Sequence, residues 1–497
     1  MKYTSTRDKS IRVSAAQAIA QGISVEGGLF VPESLPELSG RRLEGLVHKS
    51  YQERACMILA DFLDDFTESE LRGCVQGAYG GDSFADPRVA PMSRIGPDTY
   101  LLELWHGPTC AFKDMALQLL PYLLTTSLSK VAAGSGVVIL VATSGDTGKA
   151  ALEGFRDVPG TRILVFYPED GVSEIQKLQM RTQEGGNVGV CGVYGNFDDT
   201  QTGVKAIFTD PELKKALAQK NLMFSSANSI NWGRLAPQIV YYISAYCDLV
   251  RDEEIALGDV INIAVPTGNF GNILAAYYAK QMGLPVGKLI CASNVNNVLT
   301  DFIATGTYDR RREFVATSSP SMDILISSNL ERLLFALCGG DDKAVAGLMR
   351  ELSGKGVYTV SNEVKAQLQA QFAGGFCDEA DTAATIAGTF SSCDYLCDTH
   401  TAVALKVYRA YAASTGDRTK TLIASTANPY KFSGSILSAV GGSAEGLDEF
   451  AQALELSRIT GVEIPPQILA LEGKPPRFDQ VCQKDEMSGV VGKFLGL

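Results

Sequence analysis

Lys113 is the side chain in this sequence best suited to act as a nucleophile. It lies in HGPTCAFKDMALQLLPYLL, His106 to Leu124, where a Gly-Pro turn leads into an apolar helix and Ala111, Phe112, Met115, Ala116 and Leu117 surround it. An amine in such a setting is desolvated, its pKa falls, and the neutral nucleophilic form becomes available. The plainer alternative is a lysine that snorkels to the surface beside Asp114.

Three further segments offer donors for an anion or a ring. ATSGDTGK, Ala142 to Lys149, sets Ser144, Gly145, Asp146 and Thr147 at a helix start, where free N–H groups suit a carboxylate or phosphate. A nucleotide-binding Walker loop would need glycine five places before Gly148, and Thr143 stands there instead. VPTGNFGN, Val265 to Asn272, brackets Asn269 and Phe270 between Gly268 and Gly271, small residues that let backbone amides approach an anion. The dinucleotide fingerprint G-x-G-x-x-G is absent from it. IASTANPYKF ends in Ser425 and Thr426, two hydroxyls that could meet a ring nitrogen or cap the turn before Pro429. For each loop a simple helix cap is the competing reading.

These loops need a scaffold, and the pattern supplies one. Val137–Ala142, Arg162–Tyr167 and Val260–Val265 are continuous apolar runs, each followed by a polar loop and a helical stretch (Lys149–Phe155, from Glu174, from Asn272). Leu289–Ser293 and Thr421–Ala424 are further runs of this kind. Such alternation predicts parallel α/β sheets covered on both faces, with ligands at the carboxyl ends of the strands. The first hundred residues read mainly as helices, with apolar periodicity from Val47 to Phe66, and a Gly/Asp/Pro-rich segment from Gly77 to Pro97 closes them. The division expected is a helical extension over 1–97, a catalytic core over 98–440 with a smaller mobile unit at 136–249, and a helical segment with a Pro-rich turn over 441–497.

Composition narrows the function. The 497 residues carry 44 Lys plus Arg against 56 Asp plus Glu, a net charge of −12 that disfavours nucleic acid and anionic membranes. No apolar run approaches the roughly 18 residues of a membrane span, and the polar start MKYTSTRDKS leads into no signal-type apolar region. Eleven cysteines, several in apolar surroundings, read as reduced buried thiols, and the chain as cytoplasmic. Only three histidines are present, which gives thin support to Ser-His-Asp hydrolysis. Cys393, Cys397 and His400 fall at helical spacing, but a zinc site needs four ligands, and a packed helix face with no metal is the expectation. Oligomeric state is not legible here.

Together the motifs carry a resemblance. HGPTCAFKD, ATSGDTGKAALEGF, VPTGNFGNILAAYYAK, ICASNVNNVLTDF, SPSMDILISSNLERLLF and the amino-terminal YTSTRDKS…GGLFVPE resemble the threonine synthase family, in the family's order and from Tyr3 to about Phe432. The long helical amino-terminal extension is similar to its fungal and enterobacterial branch. The resemblance implies a tryptophan-synthase-β-like, fold-type II enzyme dependent on pyridoxal 5′-phosphate, a lyase that converts O-phosphohomoserine and water to threonine and phosphate. It implies Lys113 as the Schiff-base lysine. Gly268, Asn269, Phe270, Gly271 and Asn272 would hold the cofactor phosphate, and Thr426 the pyridine nitrogen. Ser144, Gly145, Asp146 and Thr147 would receive the substrate carboxylate. SSANSINWGR, Ser225 to Arg234, matches a stretch lining the substrate side, and Arg234 with Asn228 and Asn231 would take the substrate phosphate, because a dianion favours a forked donor.

Two departures stand out: Trp105 where relatives carry Phe, and Asn428-Pro-Tyr-Lys-Phe where they carry His-Pro-Ala-Lys-Phe, with Lys431 retained. The nearest rival is a serine/threonine dehydratase of the same fold, which would need no phosphate pocket; Arg234 and the SSNLER segment argue against it. A cofactor-free binding protein on this scaffold would have little use for Lys113.

Overall fold

Apolar strands without alternation require cover on both faces. The computed structural model, which describes residues 1–143, 145–169 and 172–497 (the side chains of Phe197 and Asp198 excepted), gathers them into two mainly parallel sheets. The larger runs Phe372–Phe376, Val286–Ser293, Ile261–Pro266, Thr421–Ser425, Thr99–Glu103, Met92–Gly96, and only the last edge strand is antiparallel. The smaller runs Val481–Cys482, Val188–Val193, Thr161–Pro168, Gly136–Ala142, Leu222–Ser225, all parallel. The five expected apolar strands fall on these within three residues at their ends.

Helices follow the loops as expected, at Asp146–Phe155, Glu174–Arg181 and Gly271–Met282. The longest, Trp232–Arg251, is buried over nearly its whole length and packs against Gly271–Met282 and the amino-terminal helix Tyr51–Phe62. This helix, counted by sequence with the 136–249 unit, therefore packs with the elements of the larger sheet. A helix apolar all round belongs in a core.

The amino-terminal region is helical at Ala15–Gln21, Gly40–Leu46, Tyr51–Phe62 and Glu68–Tyr79, with capping boxes at Ser14, Ser50 and Thr67. It also contains an antiparallel sheet of Tyr3–Ser5, Arg12–Val13 and Phe30–Pro32. Strands of two or three residues are too short to show a period, so the sequence pattern does not reveal them. The same holds for Val481–Cys482, which adds an edge strand to the smaller sheet, while Met487, Val491 and Leu495 pack into its core. The carboxy-terminal segment is thus more than helices and a turn.

One expectation is corrected. The helix Glu379–Cys393 stops where Asp394 turns left-handed (φ 53°), and a new helix starts at Thr399, so Cys393, Cys397 and His400 share no helix face. All eleven cysteines are free thiols. No helix among the described residues is long and apolar enough to cross a membrane.

Candidate active site

Lys113 lies beside the carboxyl end of the strand Thr421–Ser425. The Phe112 N–H donates to the Thr426 carbonyl (2.8 Å) and the Asn428 N–H to the Cys110 carbonyl (3.0 Å), which pins the lysine segment to that strand end. The snorkelling alternative fails, because the Asp114 carboxylate accepts instead from the Thr109 N–H and hydroxyl, both at 2.8 Å. Lys113 Nζ donates to the Ser321 hydroxyl at 3.0 Å and lies 3.9 Å from Asp146 Oδ2. Burial, aided by the charges of Lys431 and Arg234 and opposed by Asp146, pulls its pKa down to about 8. A buried amine near neutrality is a usable nucleophile and base.

Asp146 opens the helix Asp146–Phe155. Its carboxylate meets Lys431 Nζ at 2.7 Å and Gln176 Nε2 at 3.0 Å. Burial alone would raise it, but Lys431 and Lys113 outweigh that and hold it well below the usual carboxylate range. Gly145 precedes it at φ 138°, and a Cβ there would stand 2.6 Å from the Gln176 amide, so the loop requires glycine. Thr143, the residue that breaks the Walker spacing, accepts from the Gly145 N–H (3.0 Å) and the Gly148 N–H (2.9 Å) and braces the loop. Thr147 is half-buried there, and Ser144 lies outside the described residues.

The Gly268–Asn272 loop is a cradle of unused donors. Among the described residues nothing accepts from the backbone N–H groups of Gly268, Asn269, Phe270, Gly271 or Asn272. Phe270 takes a left-handed conformation (φ 62°) and turns the chain into the helix. Asn272 is fixed by the hydroxyls of Tyr241 (2.7 Å) and Tyr242, which both donate to its Oδ1. Its Nδ2 is buried without an acceptor. A Cβ on Gly268 would come within 2.5 Å of the Ser321 carbonyl, so the loop closely adjoins the residue that holds Lys113. Oriented amides at a helix start are what a phosphate requires.

Of the two hydroxyls at the end of Thr421–Ser425, one is committed. Ser425 Oγ accepts from Trp105 Nε1 (3.0 Å) and Thr401 Oγ1 (3.1 Å), leaving Thr426 with no side-chain partner among the described residues. The first departure thus has a local use: Trp105 also stacks on His106, ring centroids 4.2 Å apart. At the second, Asn428 caps the turn Pro429–Phe432 by accepting from the Tyr430 N–H (3.0 Å), and the turn delivers Lys431 to Asp146.

Arg234 is buried near the start of Trp232–Arg251. It donates once, to the Ala227 carbonyl (2.9 Å); its Nε has no partner and no carboxylate pairs with it among the described residues. Burial lowers its pKa to about 10. A buried cation without a counterion favours an incoming anion. Asn231 is different: its amide nitrogen donates to the Ile19 (3.0 Å) and Ser226 (2.9 Å) carbonyls and its oxygen caps Gly233, so it has no donor to spare. Asn228 is exposed. The charges of SSNLER are spent elsewhere as well: Glu331 on Arg7 (2.7 Å), Arg332 on the Phe30 and Ile230 carbonyls. That segment fastens the amino-terminal region and gives no charge to an anion pocket.

Ser321 and Lys431 lie inside the motifs SPSMD and PYKF without a site signal of their own, and His400 carries only its helical spacing from Cys393 and Cys397. Their relation to Lys113 exists only in three dimensions.

Three family profiles match the chain: "Threonine synthase N terminus" over residues 2–79, "Pyridoxal-phosphate dependent enzyme" over 88–405 and "Threonine synthase, C-terminal" over 401–489. "Threonine synthase-like 1" of Homo sapiens is 41% identical over 436 residues, covering 86% of this chain and 58% of that protein. The chain thus spans about three fifths of the length of such relatives. "Threonine synthase" of Pseudomonas aeruginosa is 38% identical over 433 residues, covering 87% of this chain and 89% of that one. A crystal structure of PLP-bound threonine synthase from Brucella melitensis superposes with TM-score 0.88 at 35% identity, covering 99% of each chain. The desolvated Lys113, the unused amides of Gly268–Asn272 and the orphaned Asn272 Nδ2 suit an aldehyde cofactor that carries a phosphate, and with the comparisons they lead to one assignment: the chain belongs to the threonine synthase family of pyridoxal-phosphate-dependent enzymes.

Proposed function

We propose that this chain converts O-phosphohomoserine and water to threonine and phosphate, acting in the cytoplasm. The observation that carries the reading is Arg234, a guanidinium buried beside the reactive lysine with no carboxylate partner among the described residues. A phosphate group supplies the missing charge. A dehydratase acting on a hydroxyl amino acid brings no second anion to neutralise it.

Lys113 carries the cofactor in this reading, with its phosphate on the amides of Gly268, Asn269, Phe270 and Gly271 and on Asn272, and its ring nitrogen at Thr426. When bound, pyridoxal phosphate supplies an electron sink next to the substrate α-carbon. Lys113, once displaced by the substrate amine, removes the Cα proton. A proton then leaves Cβ as phosphate departs from Cγ, and Arg234 stabilises the departing anion. Water adds at Cβ, and protons return to Cα and Cγ. Lys113 is the base assigned to these transfers, since no histidine or glutamate of the motifs competes for the role, and its lowered pKa suits both directions of transfer. Asp146 keeps a negative charge beside the lysine, so the substrate carboxylate is received by the backbone N–H groups of Asp146 and Thr147, which Thr143 does not occupy, and by the Thr147 hydroxyl rather than by the Asp146 side chain. Asn228 lies at the rim. The smaller unit that moves on binding is proposed to centre on 136–225 of the core over 98–440, joined by the strand Val481–Cys482 from the 441–497 segment, with the 1–97 extension outside it.

Product analysis tests this. The cofactor-loaded protein with O-phosphohomoserine is expected to release phosphate and threonine in equal amounts. Phosphate with 2-oxobutyrate means that elimination proceeds without water addition. Neither product overturns the reading in favour of a dehydratase.

A further inference from the structure

His400 is held in one tautomer by its two neighbours. Asp398 caps the helix Thr399–Thr415, and its carboxylate accepts from the His400 N–H (2.9 Å) and the Thr401 N–H (3.3 Å). The same carboxylate lies 2.9 Å from the imidazole Nδ1. On the far side of the ring, Nε2 lies 3.2 Å from the backbone N of Ser321. A backbone N–H can only donate. Nε2 must therefore accept, and the single ring proton sits on Nδ1, directed at Asp398. A doubly protonated ring would set two N–H groups against each other.

Ser321 is the residue whose hydroxyl accepts from Lys113, and whose carbonyl abuts Gly268 in the phosphate-type cradle. It sits in the short turn Pro320–Met322, whose own bonds run from the Met322 N–H to the Ser319 carbonyl (3.0 Å) and from the Asp323 N–H to the Pro320 carbonyl (3.2 Å) and do not include Ser321. Among the described residues the imidazole bond is thus the one hydrogen bond made by the Ser321 main chain, at the point of the turn that borders both the reactive amine and the cradle. Asp398 and Thr401 are fully buried and His400 nearly so. Around the ring stand Asp398, the Thr399 hydroxyl (3.5 Å), the Phe432 ring (centroid 5.1 Å) and, farther off, the charge of Asp323. The arrangement is no hydrolase triad, because Nε2 meets the Ser321 amide and not its hydroxyl.

We propose that Asp398 and His400 are positioning residues for Lys113: the Nδ1–H tautomer that Asp398 selects holds the Ser321 amide, and so keeps the Ser321 hydroxyl on the lysine amine. The inference rests on the reading of Lys113 as the cofactor-bearing lysine. Misplacing a reacting amine by about an ångström can cost up to about 100-fold in rate, so the tether should register in turnover more than in substrate binding.

The test compares three variants of the cofactor-loaded enzyme. His400→Leu removes the acceptor, His400→Gln offers an amide oxygen in its place, and Ser321→Ala removes the hydroxyl while leaving the main chain. For His400→Leu and Ser321→Ala, kcat should fall roughly 10- to 100-fold with KM changed less than about threefold, and the visible circular dichroism of the bound chromophore should weaken. His400→Gln should recover most of both signals. The inference is overturned if His400→Leu or Ser321→Ala leaves kcat and the dichroism unchanged, or if His400→Gln is as impaired as His400→Leu, which marks a merely structural histidine. Should His400→Leu not fold, Ser321→Ala and His400→Gln decide alone. Borohydride reduction of the wild-type enzyme with peptide mapping keeps the two readings apart: a label on another lysine defeats the Lys113 assignment, whereas a label on Lys113 with unmoved variants defeats only the tether.

Discussion

Lys431 and Asp146 form a buried ion pair, Nζ to Oδ1 2.7 Å, and the second carboxylate oxygen lies 3.9 Å from the Lys113 amine. One carboxylate therefore stands between two lysines. It offsets part of the desolvation that pulls Lys113 down, while Lys431 adds to that pull. In the cofactor-free protein, labelling of Lys113 by an amine-directed reagent should rise with pH through a midpoint near 8, since only the neutral amine reacts. Asp146→Asn removes the one charge that favours the ammonium form, so the midpoint should move lower. Peptide mass mapping of label against pH reads it, and a midpoint that rises or stays would show that Asp146 does not set the lysine.

Lys113→Ala should cost at least about a thousandfold in turnover, because both the covalent attachment and the proton carrier are lost. The cradle of Gly268–Asn272 remains, so the variant should still retain cofactor on dialysis. Its borohydride treatment should leave no pyridoxyl group on the peptide.

Arg234→Ala removes a buried cation that has no carboxylate partner among the described residues. Truncating one partner of a buried charge pair costs about 2–5 kcal/mol, so kcat/KM for O-phosphohomoserine should fall by at least about 30-fold. Arg234→Lys should rescue little, since a point charge cannot form the fork. Inhibition by inorganic phosphate, strong in the wild type, should be lost in both variants, and retained inhibition would place the phosphate elsewhere.

The parts of this site readable from sequence are those whose chemistry is local. Lys113 sits among its own apolar neighbours, and Gly268 to Asn272 follows a strand and opens a helix, so a dozen residues contain each signal. Buried strands such as Ile261–Pro266 were legible because cover on both faces leaves an unbroken apolar run. The Lys113–Ser321 bond spans 208 residues and the Ser321–His400 bond 79, and no spacing rule reaches that far. His400 is visible in sequence only as a member of a packed helix face with Cys393 and Cys397, an expectation undone by the break at Asp394. Asn231 misled for the opposite reason: a capping asparagine and a substrate-binding one look alike until its amide is seen bonded to Ile19 and Ser226.

Asn272→Ala should weaken cofactor binding about 10- to 100-fold, the worth of one hydrogen bond to a charged group at about 1.5–3 kcal/mol. The basis is an amide whose oxygen is held by Tyr241 and Tyr242, so that its nitrogen is preset and unpaired. Fluorescence titration of the cofactor-free protein measures it. Tyr242→Phe should have a smaller effect in the same direction, because Tyr241 still orients the amide.

Arg54 tests how the amino-terminal extension is fastened to the catalytic core. Its guanidinium is 1% exposed and joins the helix Tyr51–Phe62 to Trp232–Arg251, donating to Asp248 (2.6 Å) and the Ser244 hydroxyl (2.8 Å) on one side. On the other it donates to the Leu46 (2.9 Å) and Val47 (2.6 Å) carbonyls. In Arg54→Met, Asp248 keeps Arg251 at 2.7 Å and is not left alone. The Leu46 carbonyl likewise keeps the Lys49 N–H (3.1 Å), but the Val47 carbonyl has no other donor among the described residues, and a buried acceptor without a donor costs about 1–3 kcal/mol. Denaturant unfolding should therefore show a loss of about 1–3 kcal/mol. Replacing Asp248 as well should restore little, because the cost lies with the main chain and not with the lost charge. A double variant as stable as the wild type would assign the stability to the ion pair instead. Since Trp232–Arg251 also carries Arg234, Tyr241 and Tyr242, the single variant should loosen substrate and cofactor binding before the fold melts.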